Sequence, residues 1–182
     1  GYDFVDMDAD PSEVGVPEVD SVYGHGTHVA GIVALTAPEA KIMPLRVLDK
    51  DGEGNIWVLA EALNYAVNPD GNLATDDGAS VINMSLGTEQ RTAFLDDIIN
   101  LITCSNNGNG GHGARLPHGV TLGVDDNPEE CLSRNGAVIV AAAGNNGSTM
   151  KEYPAAEGSK GLLAVAATTQ GDVRASYSNY GS

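Results

Sequence analysis

The chain has 182 residues, 42% of them hydrophobic, and 25 acidic against 9 basic side chains for a formal net charge of -16. That length and apolar content suffice for one packed core, and the excess of carboxylates argues against a nucleic-acid or anionic-membrane surface as partner. Its apolar runs are too short for a membrane-crossing helix, and no signal peptide is visible, an absence without weight in a chain that opens on Gly1.

In chain order, GYDFVDMDAD carries Asp3, Asp6, Asp8 and Asp10 with no buried strand leading into a glycine turn, and reads as a solvated acidic loop. Gly24, His25, Gly26, Thr27 and His28 come next, followed by the small apolar run Val29 to Ala34, which reads as a buried helix with His25 in the turn that opens it. The positive end of a helix favours a neutral imidazole over an imidazolium, and a neutral ring accepts a proton from a nucleophile. KIMPLRVL, with Asp49 as its end, predicts a buried strand over 41–49. Asn55 opens a helix with Ile56, Leu59, Ala60, Leu63 and Val67 on one face. SVINMSLG is the next strand, Phe94, Leu95, Ile98, Ile99 and Ile102 form another helical stripe, and GAVIVAAAG and GLLAVAAT supply two more strands. Strands separated by helices pair in parallel through right-handed crossovers, which predicts an α/β fold: a doubly wound, mostly parallel sheet with helices on both faces. Such sheets bind ligands beyond the carboxyl ends of their strands, so the turns at 49–55, 86–90 and 144–153 belong to the active face.

Four stretches in register carry a family resemblance. HGTHVAGIVA, from His25, resembles the histidine motif of the subtilisin-like serine proteases. VINMSLG, Val81 to Gly87, resembles the strand lining their primary specificity pocket. AAAGNNG, Ala141 to Gly147, resembles the segment with the oxyanion asparagine, and YPAA, LLAVAATT and RASYSNYGS resemble the family segments on its C-terminal side. The resemblance implies a serine endopeptidase in which His25 is the general base and Asn145 the oxyanion donor. Neither the family's Asp-Thr-Gly or Asp-Ser-Gly motif nor its Gly-Thr-Ser-Met-Ala motif occurs here. Residues 1–182 are therefore expected to be part of a catalytic domain, inactive alone, with insertions at about 68–78 and 103–127 that follow helices and face away from the chemistry. Ser176, Ser178 and Ser182 lack a glycine-framed elbow and are not assigned as nucleophile. The competing readings are a catalytically inactive relative that binds peptides, and an unrelated α/β module in which the histidine turn caps a helix.

By the same resemblance, Ser85, Leu86 and Gly87 on one side and Gly52, Glu53 and Gly54 on the other sandwich an extended substrate as added strands, with Ala142, Ala143 and Gly144 beside them. Asn146 is neutral, so the primary pocket is expected to be apolar, without an acidic trap for lysine or arginine. No cofactor is needed for the chemistry. The stretch between Ala34 and Lys41 is too short for the family's strong calcium loop, and Asp70, Asp76 and Asp77 read as a polar loop with calcium as the alternative. Cys104 and Cys131 flank the second insertion. They read as a disulfide closing a glycine-rich loop, against a zinc site with His112 and His118 or two free thiols. Expected partners are protein or peptide substrates and a propeptide, and the family implies a secreted, extracellular protein.

Overall fold

The structure, a computed structural model, describes residues 1–72, 74–104, 131–132 and 136–181. Two compact units divide the chain, Gly1–Ala66 and Val67–Ser182.

In the first unit, β1 (Tyr2–Asp3) pairs in parallel with β2 (Leu45–Arg46). The strand foreseen over 41–49 is thus much shorter. Pro44 has no N–H for a ladder, and its carbonyl instead accepts from the Tyr2 amide at 3.1 Å. Tyr2, Phe4 and Tyr65 pack ring against ring at 4.8 to 5.9 Å between centroids, and Phe4 is buried. The reading of the N-terminal aspartates as a solvated loop fails for Asp3, which is only 2% exposed. Its carboxylate accepts from the Val5 and Asp6 amides at 2.7 and 3.0 Å and pairs with the Arg46 guanidinium. Burial raises the Asp3 pKa, but these hydrogen bonds outweigh it and hold the group below the usual range.

Helix α1 (His25–Thr36) forms where the apolar run predicts it, but none of its residues is buried, and Leu35 is 85% exposed. A helix apolar on all sides needs cover on more than one, and the described residues do not supply it. Helix α2 (Ile56–Val67) buries Ala60, Leu63 and Val67 and half-buries Ile56 and Leu59, the face its periodicity marks.

The second unit is built on three parallel strands in sequence order, β3 (Val81–Met84), β4 (Val138–Ala142) and β5 (Leu162–Val165). Val81 pairs with Val138 and Ile139 with Leu162. Between β3 and β4 lies α3 (Ala93–Thr103), opened by Thr92, whose hydroxyl accepts from the Leu95 amide at 3.1 Å. Leu95, Ile98, Ile99 and Ile102 of α3 are buried, as are Met84, Ile139 and Ala141 of the sheet, and these make the unit's core. Ile102 O accepts from the Ala137 amide at 2.9 Å, so the end of α3 is tied to the start of β4.

Cys104 follows α3 and is joined to Cys131, with 5.1 Å between their Cα atoms. The bulk of the second insertion, with His112 and His118, lies outside the described residues. In the first insertion, Asp70 accepts from the Asn72 amide at 2.8 Å and the Thr75 hydroxyl at 3.0 Å, a self-contained turn. No metal-binding group of three or more His, Cys, Asp or Glu is found among the described residues.

Candidate active site

The histidine turn belongs to the first unit. Gly24 adopts φ 87°, a left-handed conformation open to glycine, and so turns the chain into α1 with His25 as its first residue, exposed. The His25 amide donates to Val22 O at 3.1 Å, and the His28 amide closes the first helical turn on Gly24 O at 2.8 Å. Gly24 has no side chain with which to cap the helix. Glu13 does so from eleven residues upstream, accepting from the Gly24 amide with one oxygen and from the Thr27 hydroxyl, at 2.7 Å, with the other. A carboxylate there also complements the helix dipole.

Gly52, Glu53 and Gly54 occupy a tight turn in the same unit. Asp49 Oδ1 accepts from the Asp51 and Glu53 amides, both at 2.9 Å, and the Asp49 amide donates back to Glu53 O at 2.9 Å. The Glu53 amide, with that of Asp51, holds the exposed Asp49 carboxyl below its ordinary pKa.

The second unit holds a cavity of about 230 Å³ at the carboxyl ends of β3 and β4, lined by Ser85, Leu86, Gly87, Ala142, Gly144, Asn145, Asn146 and Glu152. Ser85 to Gly87 continue β3, and Ala142 ends β4, which Ala143 to Asn145 continue. Thr88 and Tyr153 exchange backbone hydrogen bonds of 3.0 and 2.8 Å, and this antiparallel bridge closes a third wall and sets Glu152 beside Gly87. Glu152 Oε2 lies 3.0 Å from where a Cβ on residue 87 would be, so a side chain at Gly87 would crowd the carboxylate. Its other oxygen accepts from Asn146 Nδ2 at 3.1 Å.

Asn179 organises the loop that carries Asn145. It is 2% exposed, and its Oδ1 accepts from the Asn146 amide at 2.8 Å while its Nδ2 donates to Met150 O at 3.1 Å. Its own amide donates to Gly144 O at 2.9 Å. Gly144, at φ 105°, lies so close that any side chain there would overlap Asn179 Nδ2 and Glu152 Cγ. With the loop pinned from behind, Asn145 is left exposed at the cavity.

Of the residues predicted from sequence, the cavity brings together Ser85, Leu86, Gly87, Ala142, Gly144 and Asn145. Ala143 is not in its lining, and the Ala143 amide donates to Val165 O at 2.9 Å. His25 and Gly52 to Gly54 lie in the other unit. An apolar pocket is expected beside Ser85 to Gly87, and the cavity found there has the Glu152 carboxylate in its wall. Glu152 lies outside every motif read from the sequence, and Asn179, although it falls within RASYSNYGS, is given no role there. Both are placed by pairing with residues dozens of positions away, a relation no local pattern reveals.

A second acidic cluster lies apart from the cavity lining. Arg91 bridges Asp96 at 2.7 Å and Glu157 at 3.4 Å, and the Glu157 side chain is 3% exposed. Burial and the adjacent Asp96 carboxyl push the Glu157 pKa up to about 7 against the pull of Arg91.

Comparison with known proteins gives concordant results. The chain is 35% identical over 191 residues to the thermophilic serine proteinase of Bacillus sp. (strain AK1), covering all of this chain and 36% of that protein. It is 33% identical over 192 residues to thermitase of Thermoactinomyces vulgaris, again over the whole chain and 52% of the relative. The chain thus spans between about a third and a half of these relatives. Among solved structures, a cold-adapted subtilisin-like serine proteinase superposes with a TM-score of 0.64 at 27% identity, covering 100% of this chain and 51% of the other. The helices and parallel strands of this chain are accordingly those of a subtilisin-like α/β fold. The model of the subtilase family matches residues 4–182, and the chain belongs to that family.

Proposed function

We propose that this chain works as part of a serine endopeptidase, with His25 as general base and Asn145 as the side-chain donor to the oxyanion. In that chemistry His25 takes the proton of an attacking serine and returns it to the leaving amine, while Asn145 holds the negative charge that develops on the carbonyl oxygen. The nucleophile and the acid that orients His25 are assigned to no residue here. Ser85 to Gly87, with Gly52 to Gly54, would hold the substrate as an extended strand through main-chain hydrogen bonds. Substrates are then proteins or peptides, a propeptide is the expected inhibitor partner, and the site of action is extracellular, in keeping with the family.

The observation that carries this reading is Asn145, exposed beside a cavity at the carboxyl ends of two parallel strands and mounted on a loop that the buried Asn179 holds from behind. A donor held in place before substrate arrives can stabilise charge that appears only in the transition state. In the full-length protein, Asn145→Leu should lower kcat about a hundredfold to a thousandfold with KM nearly unchanged, and His25→Ala should lower kcat by several orders of magnitude. Raised KM at unaltered kcat would make Asn145 a substrate contact, and a wild-type protein that cleaves no peptide would leave a binding module.

A further inference from the structure

We infer that Glu152 makes the cavity selective for a positively charged side chain, so that the preferred peptide carries arginine or lysine immediately before the scissile bond. The inference rests on the peptidase reading, in which the cavity beside Ser85 to Gly87 receives that residue.

Glu152 is the one charged side chain among the eight residues lining the cavity, and the other seven supply small, apolar or amide groups. Its position is set by the backbone rather than by a flexible excursion. The Thr88–Tyr153 bridge fixes the adjacent peptide, Gly144 packs against Cγ, and Asn146 Nδ2 holds Oε1. Oε2 faces the Gly87 backbone, where the absent side chain leaves the approach open. A long side chain ending in a guanidinium or ammonium group, laid along the Ser85 to Gly87 edge, would bring its charge to this oxygen, and its methylenes would meet Leu86 and Ala142. A volume of about 230 Å³ accommodates such a chain. An acidic side chain would meet like charge, and a neutral one would leave the carboxylate without a counter-charge as water is displaced, which costs affinity.

Arginine and citrulline test this directly, being nearly isosteric and differing in charge. N-acetylated tetrapeptide amides ending in either residue are titrated calorimetrically against the full-length protein and its Glu152→Gln variant, which keeps an acceptor for Asn146. Arginine should bind at least tenfold more tightly than citrulline in the wild type. That ratio should collapse to within about twofold in the variant and shrink in 1 M NaCl. Equal affinities in the wild type, a ratio unchanged by the substitution, or no binding of either peptide at millimolar concentration would each overturn the inference. Cleavage of the matching extended peptides is scored separately. Charge-selective binding without cleavage removes the peptidase reading alone, whereas cleavage without charge preference removes the role of Glu152 alone.

Discussion

Glu157 has the environment in which a single proton alters stability. Its carboxyl is buried beside Asp96, and the Arg91 guanidinium that offsets them is itself largely exposed, so the compensation is screened by water. The pKa of Glu157 rises from 4.5 to about 7 on folding. Below the lower value the group is protonated in both states. Between the two, the unfolded chain gives up its proton first, so stability falls as pH rises and the loss is complete above about 7. Glu157→Gln removes this dependence while keeping the shape. In urea titrations at pH 5 and pH 8, the wild type should lose about 1 to 2 kcal/mol relative to the variant, one pKa unit being worth about 1.4 kcal/mol before solvent screening reduces the total. Parallel curves at the two pH values would show that Arg91 keeps Glu157 ionised throughout.

Among the elements, α1 depends most on residues outside itself. None of its side chains is buried, its N-cap is a glycine, and its first turn is held by the Glu13 carboxylate. Replacing Glu13 by Ala should cost about 1 kcal/mol locally, a typical value for a lost cap, and speed amide exchange at Gly24 and His25 roughly fivefold while leaving α3 protected. Unchanged exchange at those two amides would place the restraint elsewhere. The contrast with α3 shows what a sequence makes legible. Leu95, Ile98, Ile99 and Ile102 repeat at the helical period and Thr92 is a standard cap, so the element, its start and its buried face are all readable. The strand ends that carry Ser85 to Gly87 and Asn145 are readable for a related reason: short apolar runs ending at glycine. Two-residue strands such as β1 and β2 have no period to detect, and Asp3 is buried by a partner, Arg46, that is 43 residues distant. Glu152 and Asn179 are hidden in the same way. Their positions come from bridges between loops, and nothing in KEYPAA or SYSNYGS states which distant backbone they meet.

For the chain as a whole, 25 carboxylates against 9 cations favour solubility but set surface charges against one another, so covalent restraint has a role beyond packing. The Cys104–Cys131 bridge fits that need. It closes a separation of 27 residues with 5.1 Å between Cα atoms, directly after the helix whose apolar face makes the core of the second unit. Closing a loop of that length removes unfolded-state entropy worth about 3 to 4 kcal/mol, provided the native geometry is not distorted. In a chain of this size that corresponds to roughly 10 °C in Tm. Replacing both cysteines by serine should therefore lower the calorimetric Tm by about that amount and leave arginine-peptide affinity at the Glu152 cavity within twofold, since neither cysteine lines it. Reductant should reproduce the shift in the wild type and do nothing to the double variant. Alkylation of both thiols in the native protein without reductant, or an unaltered Tm in the double variant, would show that the bridge does not stabilise the fold. A fall in peptide affinity with the expected fall in Tm would mean that the loop end at Cys104, held against Gly136 at the entrance to β4, transmits its order along the strand to Asn145.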